Sequence, residues 1–398
     1  MGALRVAIVA GETSGDALGA ALIGSLRERV PDARFLGVPG AAMRAAGCEP
    51  LADAHELAVM GLTEVLGHLP RLLRLRARLL RQIIAWRPDV FIGIDYQQFN
   101  LGLALRLKAR GFTTVQYVSP QVWAWRAGRV TTMARAYDLV LCLLPFEPAF
   151  YDAHAVRARF VGHPLADQIP LQNQRAAARA ALHLDPDGPV LALLPGSRES
   201  EVQRLAAPFL GAAGVLAGRI AGLTIVAPMA GPVVRAQFER ALAASAGATA
   251  VRVLDGQSRL ALSAADVALV ASGTATLEAL LCRCPMVVAY RFGALTAWVV
   301  RRLRLVRATY FALPNLLAGE RLAPEFLQEA VVAGAMADAL EQALRDTARR
   351  AYLLERFHAI HEALRRDGAA LAAQAVLELL RERDARDPHL AGRPAGRT

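Results

Sequence analysis

The chain has 398 residues, 55% of them hydrophobic and 20% charged, and its 46 Lys and Arg exceed its 35 Asp and Glu for a formal net charge of +11. So much apolar material excludes a disordered chain, and at ~150 residues per domain the length predicts two packed cores. No apolar run reaches the ~18–20 residues of a membrane span, no signal peptide with a cleavage site is evident, and the four cysteines have neither zinc nor thioredoxin spacing, so the expectation is a cytoplasmic protein without a metal site. The positive balance suits a polyanionic partner such as nucleic acid, anionic lipid or a phosphorylated substrate. An arginine-rich proteome would give the same charge.

Strand-like and helical patterns alternate, which predicts α/β architecture with parallel sheets. Strand-like runs fall at 5–10, 34–38, 90–95, 114–118, 139–144 and 159–161, with helical stretches such as 16–29 and 69–86 between them. After a Pro- and Gly-rich link at 185–189 the pattern restarts, with strands at 190–194, 223–227, 250–254, 267–271 and 286–290. Helices are expected at 199–217, 235–246, 258–264 and 276–282. The tail reads as helical over 331–345, 348–365 and 369–383, with a polar, frayed end from 384. These patterns predict two Rossmann-like domains facing across a cleft, at 1–184 and 185–345, with helices of 346–383 returning toward the first.

The first strand runs into Gly11, Glu12, Thr13, Ser14, Gly15 and Asp16, with Gly19 beyond. A helix N-terminus after such a turn offers N–H groups to an anion. The glycine spacing differs from the dinucleotide fingerprint, and no acidic residue ends the second strand, which argues against NAD. The turn is either a cap made by Ser14 or Asp16, or an acceptor-side wall. Asp95 ends an apolar strand, where it could cap the next helix or accept a proton from an attacking hydroxyl. Trp123 and Trp125 follow another strand end, either as a packed loop or as a platform for carbohydrate or acyl chains.

In the second half, Gly196, Ser197 and Arg198 join a strand to a helix and could hold a diphosphate with N–H groups and a guanidinium. Glu199 and Glu201 in the first turn suit the helix dipole. Ser272, Gly273 and Thr274 make a second such turn, and Glu278 lies on the same helix face as Thr274, where a carboxylate can accept ribose hydroxyls. Together these describe a nucleoside-diphosphate pocket. The only strand-distal D-x-D letters, Asp185 and Asp187, lie in the link and read as a turn. The 69–86 helix carries Arg71, Arg74, Arg78 and Arg81 on one face and Leu72, Leu75, Leu79 and Ile83 on another, and residues 57–62 before it are apolar. It could cover the sheet or dock on anionic lipid.

The segments Ala10–Asp16, Tyr117–Arg126, Pro145–Glu147, Phe160–His163, Leu194–Arg198, Ser272–Thr274 with Glu278, and Leu313–Gly319 resemble, in order, the lipid-A-disaccharide synthase family. The resemblance implies a GT-B fold with the donor held by the second domain. It implies transfer of 2,3-diacylglucosamine from UDP to 2,3-diacylglucosamine 1-phosphate (lipid X), with inversion and without metal or other cofactor. Asp95 matches the family's essential aspartate, Arg198 and Asn315 match functional positions, and Glu12 lies in the acceptor-side loop. Ser14, Asn100 and Trp123 join Glu12 as acceptor-side candidates. Gly196, Ser197, Arg198, Glu201, Ser272, Gly273, Thr274, Glu278 and Asn315 are the donor-side set. The implied partners are the two lipid substrates and anionic lipid at the cytoplasmic face of the inner membrane, not nucleic acid. The oligomeric state is left open. After Asp95 the family often reads Ala-Pro-Asp-Phe-Asn, whereas this chain has Tyr96, Gln97, Gln98, Phe99 and Asn100, so no carboxylate at Gln98 can be required. The rival readings are a UDP-N-acetylglucosamine 2-epimerase, which can share this plan, and a basic membrane-surface binding protein without catalysis.

Overall fold

The short apolar runs are strands of two parallel sheets. The structure, a computed structural model, describes residues 3–53, 62–120, 130–245, 250–293 and 310–386, with the backbone alone at 13 and 62–70. The first sheet is built from β1 (Arg5–Ala10), β2 (Arg34–Val38), β3 (Cys48–Pro50), β4 (Val90–Ile94), β5 (Thr113–Tyr117), β6 (Leu139–Cys142) and β7 (Ala158–Phe160). Its order among the described residues is β3-β2-β1-β4-β5-β6-β7, all parallel. The intervening helices are α1 (Thr13–Arg29), α2 (Ala41–Ala45), α3 (Leu62–Trp86), α4 (Gln97–Lys108), α5 (Val130–Ala136) and α6 (Glu147–Asp152).

Both faces of this sheet are covered, so β1 reads as an unbroken apolar run rather than an alternating one. Val6, Ile8 and Ala10 point to a layer with Leu22, Ile23 and Leu26 of α1. Ala7 and Val9 point the other way, to Leu75, Leu79 and Ile83 of α3 and Leu103 and Leu107 of α4. The opposite side of α3 exposes Arg71, Arg74, Arg78 and Arg81, together with Leu73.

The second sheet contains β8 (Val190–Leu194), β9 (Thr224–Met229), β10 (Val251–Asp255), β11 (Val267–Ala271), β12 (Met286–Tyr290) and β13 (Glu325–Leu327), in the parallel order β10-β9-β8-β11-β12-β13. Its helices are α7 (Pro164–Gln168), α8 (Arg175–Ala181), α9 (Glu199–Ala217), α10 (Pro232–Ala244), α11 (Ser258–Ala264), α12 (Thr274–Leu281), α13 (Leu313–Ala318), α14 (Ala333–Arg345) and α15 (Thr347–Leu364). The last helix, α16 (Gly368–Arg386), packs on α1.

The chain forms two compact units, Met1–Pro164 with Leu364–Thr398, and Leu165–Ala363. Residues 165–184, expected with the first half, belong to the second unit. Arg179 of α8, 1% exposed, explains this by donating to Ala264 O (2.9 Å), Asp266 Oδ2 (2.7 Å) and the carbonyls of Asp185, Pro186 and Gly188. Helix α15, expected to return to the first unit, also stays in the second, with Arg350 donating to Asp266 O (2.7 Å) and His361 Nε2 hydrogen-bonded to Ala166 O (3.0 Å). Helix α16 belongs to the first unit. Its Ala372, Val376 and Leu380 enter the first core, and Glu382 takes a forked pair of bonds from Arg157 at 2.6 and 2.8 Å. The helix runs on to Arg386, past the point where fraying was expected. The remaining tail and the apolar 57–61 segment lie outside the described residues.

Candidate active site

In a doubly wound sheet, ligands gather beyond the carboxyl ends of the strands where the order reverses. In the first unit that point lies between β1 and β4. Gly11 follows β1 and Asp95 follows β4. Gly11 must lack a side chain, because a Cβ there would stand 2.4 Å from the Tyr96 ring. Asp95 and Tyr96 have φ of 48° and 32°, in the left-handed region that non-glycine residues rarely occupy. Neighbours hold this kink. Asp95 N donates to Tyr117 O (3.0 Å), and Asp95 O accepts from Asn100 Nδ2 (3.1 Å) and Gln116 Nε2 (3.2 Å).

The Asp95 carboxyl is half-buried. Loss of solvent, and then the neighbouring Glu12 charge, push its pKa up, opposed by a backbone N–H at Tyr96. Burial and Glu12 also push the Tyr96 phenol up. A carboxylate with raised proton affinity at a sheet's ligand edge is suited to take a proton from a hydroxyl. Glu12 and Ser14 are exposed on the adjoining turn. Asp16 does neither job proposed for that turn. It caps α2, accepting from the N–H groups of Gly40 (2.8 Å), Ala42 (2.8 Å) and Met43 (3.0 Å).

Asn100, expected on the acceptor side, is fully buried, and its amide serves backbone carbonyls of Val9, Ile94 and Asp95. It braces the backbone around Asp95. Trp123 lies outside the described residues. Gln116 was missed, although an amide inside the buried run of β5 was the available signal.

The reversal of the second sheet lies between β8 and β11, and the two phosphate-type turns follow those two strands. In the first turn Gly196 has φ 127°. Glu201, expected on the nucleotide, is committed to the turn itself. Its Oε2 accepts from Ser197 N (3.1 Å) and Arg198 N (3.4 Å), which are the N–H groups an anion would seek. The Arg198 side chain is 80% exposed and pairs with Glu201 at 3.5 Å. In the second turn Gly273 has φ 150°, and Gly273 and Thr274 are exposed at the start of α12. Ser272 Oγ donates to Phe311 O (3.4 Å). One turn along α12, Glu278 accepts from Ser258 Oγ (3.3 Å) and Arg259 Nε (3.4 Å), so it is held in place by two α11 residues that sequence reasoning did not single out.

Asn315, expected against the donor, has no exposed surface. Its Nδ2 donates to Ala323 O (2.8 Å) and its Oδ1 accepts from Leu322 N and Ala323 N (both 2.8 Å). It pins α13 to the 322–323 backbone. Asp187 N donates to Asp185 Oδ1 (2.9 Å), a turn of the link. Among the described residues no group of three or more His, Cys, Asp or Glu is placed to hold a metal ion. The cysteines are free thiols, and burial pushes Cys282 up to about 11.

Residues 6–378 match the family model described as Lipid-A-disaccharide synthetase. The chain belongs to the lipid-A-disaccharide synthase family. A Lipid-A-disaccharide synthase of Sodalis glossinidius is 52% identical over 377 residues, 95% of this chain and 98% of that protein. Family membership makes this chain a glycosyltransferase and displaces both rival readings. Two solved structures share its fold. A putative UDP-N-acetylglucosamine 2-epimerase from Listeria monocytogenes aligns at TM-score 0.62 and 12% identity, over 96% of this chain and 97% of its own. The calicheamicin glycosyltransferase CalG4 aligns at TM-score 0.56 and 17% identity, over 96% and 99%. At such identities the likeness concerns fold alone, and it bears out the expected GT-B class for this family member.

Proposed function

We propose that the chain moves 2,3-diacylglucosamine from its UDP derivative to 2,3-diacylglucosamine 1-phosphate, forming the lipid A disaccharide 1-phosphate and UDP with inversion. The observation that carries the mechanism is Asp95, a carboxylate of raised proton affinity held in a strained turn at the reversal of its sheet. Asp95 takes the proton of the acceptor hydroxyl as that oxygen bonds to the anomeric carbon. The bond from that carbon to the diphosphate breaks, and its electron pair leaves with UDP. The exposed Arg198 guanidinium and the N-terminus of α12 stabilise the departing charge. Glu278, already oriented by Ser258 and Arg259, accepts the ribose hydroxyls.

The basic face of α3, with Leu73 exposed beside it, supports docking on anionic lipid at the cytoplasmic face of the inner membrane, where both acylated substrates reside. Among the described residues no helix is long and apolar enough to cross a membrane.

The test is turnover of UDP-2,3-diacylglucosamine and lipid X by D95A and R198A. Loss of the general base is expected to cost ~100-fold or more. Near-normal turnover in both variants would defeat the mechanism.

A further inference from the structure

The ends of β1, β4 and β5 raise a local problem. Beyond a strand end the ladder stops, and its last carbonyls need other donors. Here the chain also turns sharply, with Asp95 at φ 48° and Val118 at φ 75°. A β-branched residue in that region is a marked outlier and persists only when its surroundings over-determine it.

Two buried amides supply the missing donors. Asn100 Nδ2 reaches Val9 O (3.4 Å), Ile94 O (3.3 Å) and Asp95 O (3.1 Å). Gln116 Nε2 reaches Asp95 O (3.2 Å), Tyr117 O (3.3 Å) and Val118 O (3.2 Å). Asn100 is 0% exposed and Gln116 is 1% exposed. Both sets converge on one atom, the carbonyl oxygen of Asp95. The orientation of each amide is fixed by this arrangement, because turning either over would set its oxygen against carbonyl oxygens. Among the described residues the amide oxygens, Asn100 Oδ1 and Gln116 Oε1, are buried and find no hydrogen-bond partner, so the donor ends alone select the pose. Gly93 makes the space. It pairs with Gln116 across the sheet, and a Cβ on it would stand 2.8 Å from Asn100 Cβ and 3.1 Å from Gln116 Oε1.

We propose that Gln116 and Asn100 are positioning residues for the reaction, acting through Asp95 by clamping its carbonyl so that its carboxylate stays aimed from the strand end. The inference rests on the reading of Asp95 as the base. Among the described residues, the charged and titratable groups acting on Asp95 are Glu12, from the turn after β1, and the adjoining Tyr96, while both clamping amides are neutral. Release of the clamp therefore changes the environment of Asp95 without adding a charge.

The experiment measures steady-state kinetics and the pH dependence of kcat/KM for Q116M, N100L and G93A, each alone and with D95N. Circular dichroism and the rise in Tm caused by UDP monitor folding. Q116M and N100L are expected to lose about tenfold to a hundredfold in kcat, with KM for both substrates within about threefold, because misplacing a reacting group by about 1 Å costs that much. The acid limb of kcat/KM should move in both. G93A, which removes no polar group, should reproduce the defect by displacing both amides. Added to D95N, Q116M should cause no further loss, since residues acting as a unit are not additive. Parent-like kcat and pH profile in folded Q116M and N100L would overturn the inference, as would an additive loss on D95N. Failure of both variants to fold would assign the pair to the fold and overturn it equally. Near-normal turnover by D95N alone would instead sink the base reading beneath it.

Discussion

The two units run the same scaffold to opposite electrostatic ends. Each is a parallel sheet whose order reverses beside its first strand, β1 in one and β8 in the other. At the first reversal the chain places carboxylates, Glu12 and Asp95, over a pair of neutral amides. At the second it places glycine turns, an exposed arginine and a helix N-terminus. Backbone topology thus decides where chemistry can occur, and a few residues after each strand decide which charge is handled there. In the proposed mechanism, proton removal belongs to the first unit and anion stabilisation to the second.

That division can be broken most severely at its two centres. D95N keeps the shape but cannot take a proton, and kcat should fall ~100-fold or more with KM little changed. R198M should fall about a hundredfold as the departing diphosphate loses its forked donor. The two are separable, since UDP should still raise the Tm of D95N as in the parent, whereas R198M should show a smaller rise.

A milder break falls within the second unit. E278A should weaken UDP binding about tenfold, equal to ~1.4 kcal/mol, measured by calorimetry. The parent should show a matching loss for 2′-deoxy-UDP, while E278A should no longer distinguish the two nucleotides.

Smaller still is the effect of like charge in the first unit. Burial and then Glu12 raise the Asp95 pKa, so Asp95 holds its proton to higher pH than an ordinary carboxyl and is inactive as a base below that point. E12Q removes the second cause and leaves the first. The acid limb of kcat/KM should therefore move to lower pH without reaching the ordinary carboxylate range. A limb that stays in place would separate Glu12 from the base. The smallest effect is expected at the exposed Arg157–Glu382 pair, where R157Q should leave the Tm close to that of the parent.

The same contrast governs what could be read beforehand. Long buried strands such as β1, β8 and β11 announce themselves because both of their faces are apolar. Three residues at a sheet edge carry little period, and of such strands β7 was read at 159–161 whereas β3 and β13 were not. The glycine turns were legible because φ values as large as those of Gly196 (127°) and Gly273 (150°) are open essentially to glycine alone. Polar side chains were legible only as polar. Asn100, Asp16 and Glu201 sit close to ligand-type turns and Asn315 lies in the 313–319 motif, yet each satisfies backbone groups of its own unit. Telling a brace from a contact requires the position of carbonyls and N–H groups distant in the chain. Arg179 shows the same limit, because its partner Asp266 is what draws α8 into the second unit.

The docking of α16 on α1 has a consequence for biosynthesis. The first unit is interrupted in sequence, so its hydrophobic layer stays uncovered on the ribosome until Ala372, Val376 and Leu380 emerge. The second unit, contiguous over Leu165–Ala363, is complete before that moment. Newly made chains therefore mature in reverse, with the later-translated half finishing first. A premature stop within the last helix would release a protein with a finished second unit, but with an open, aggregation-prone flank on the half that carries Asp95.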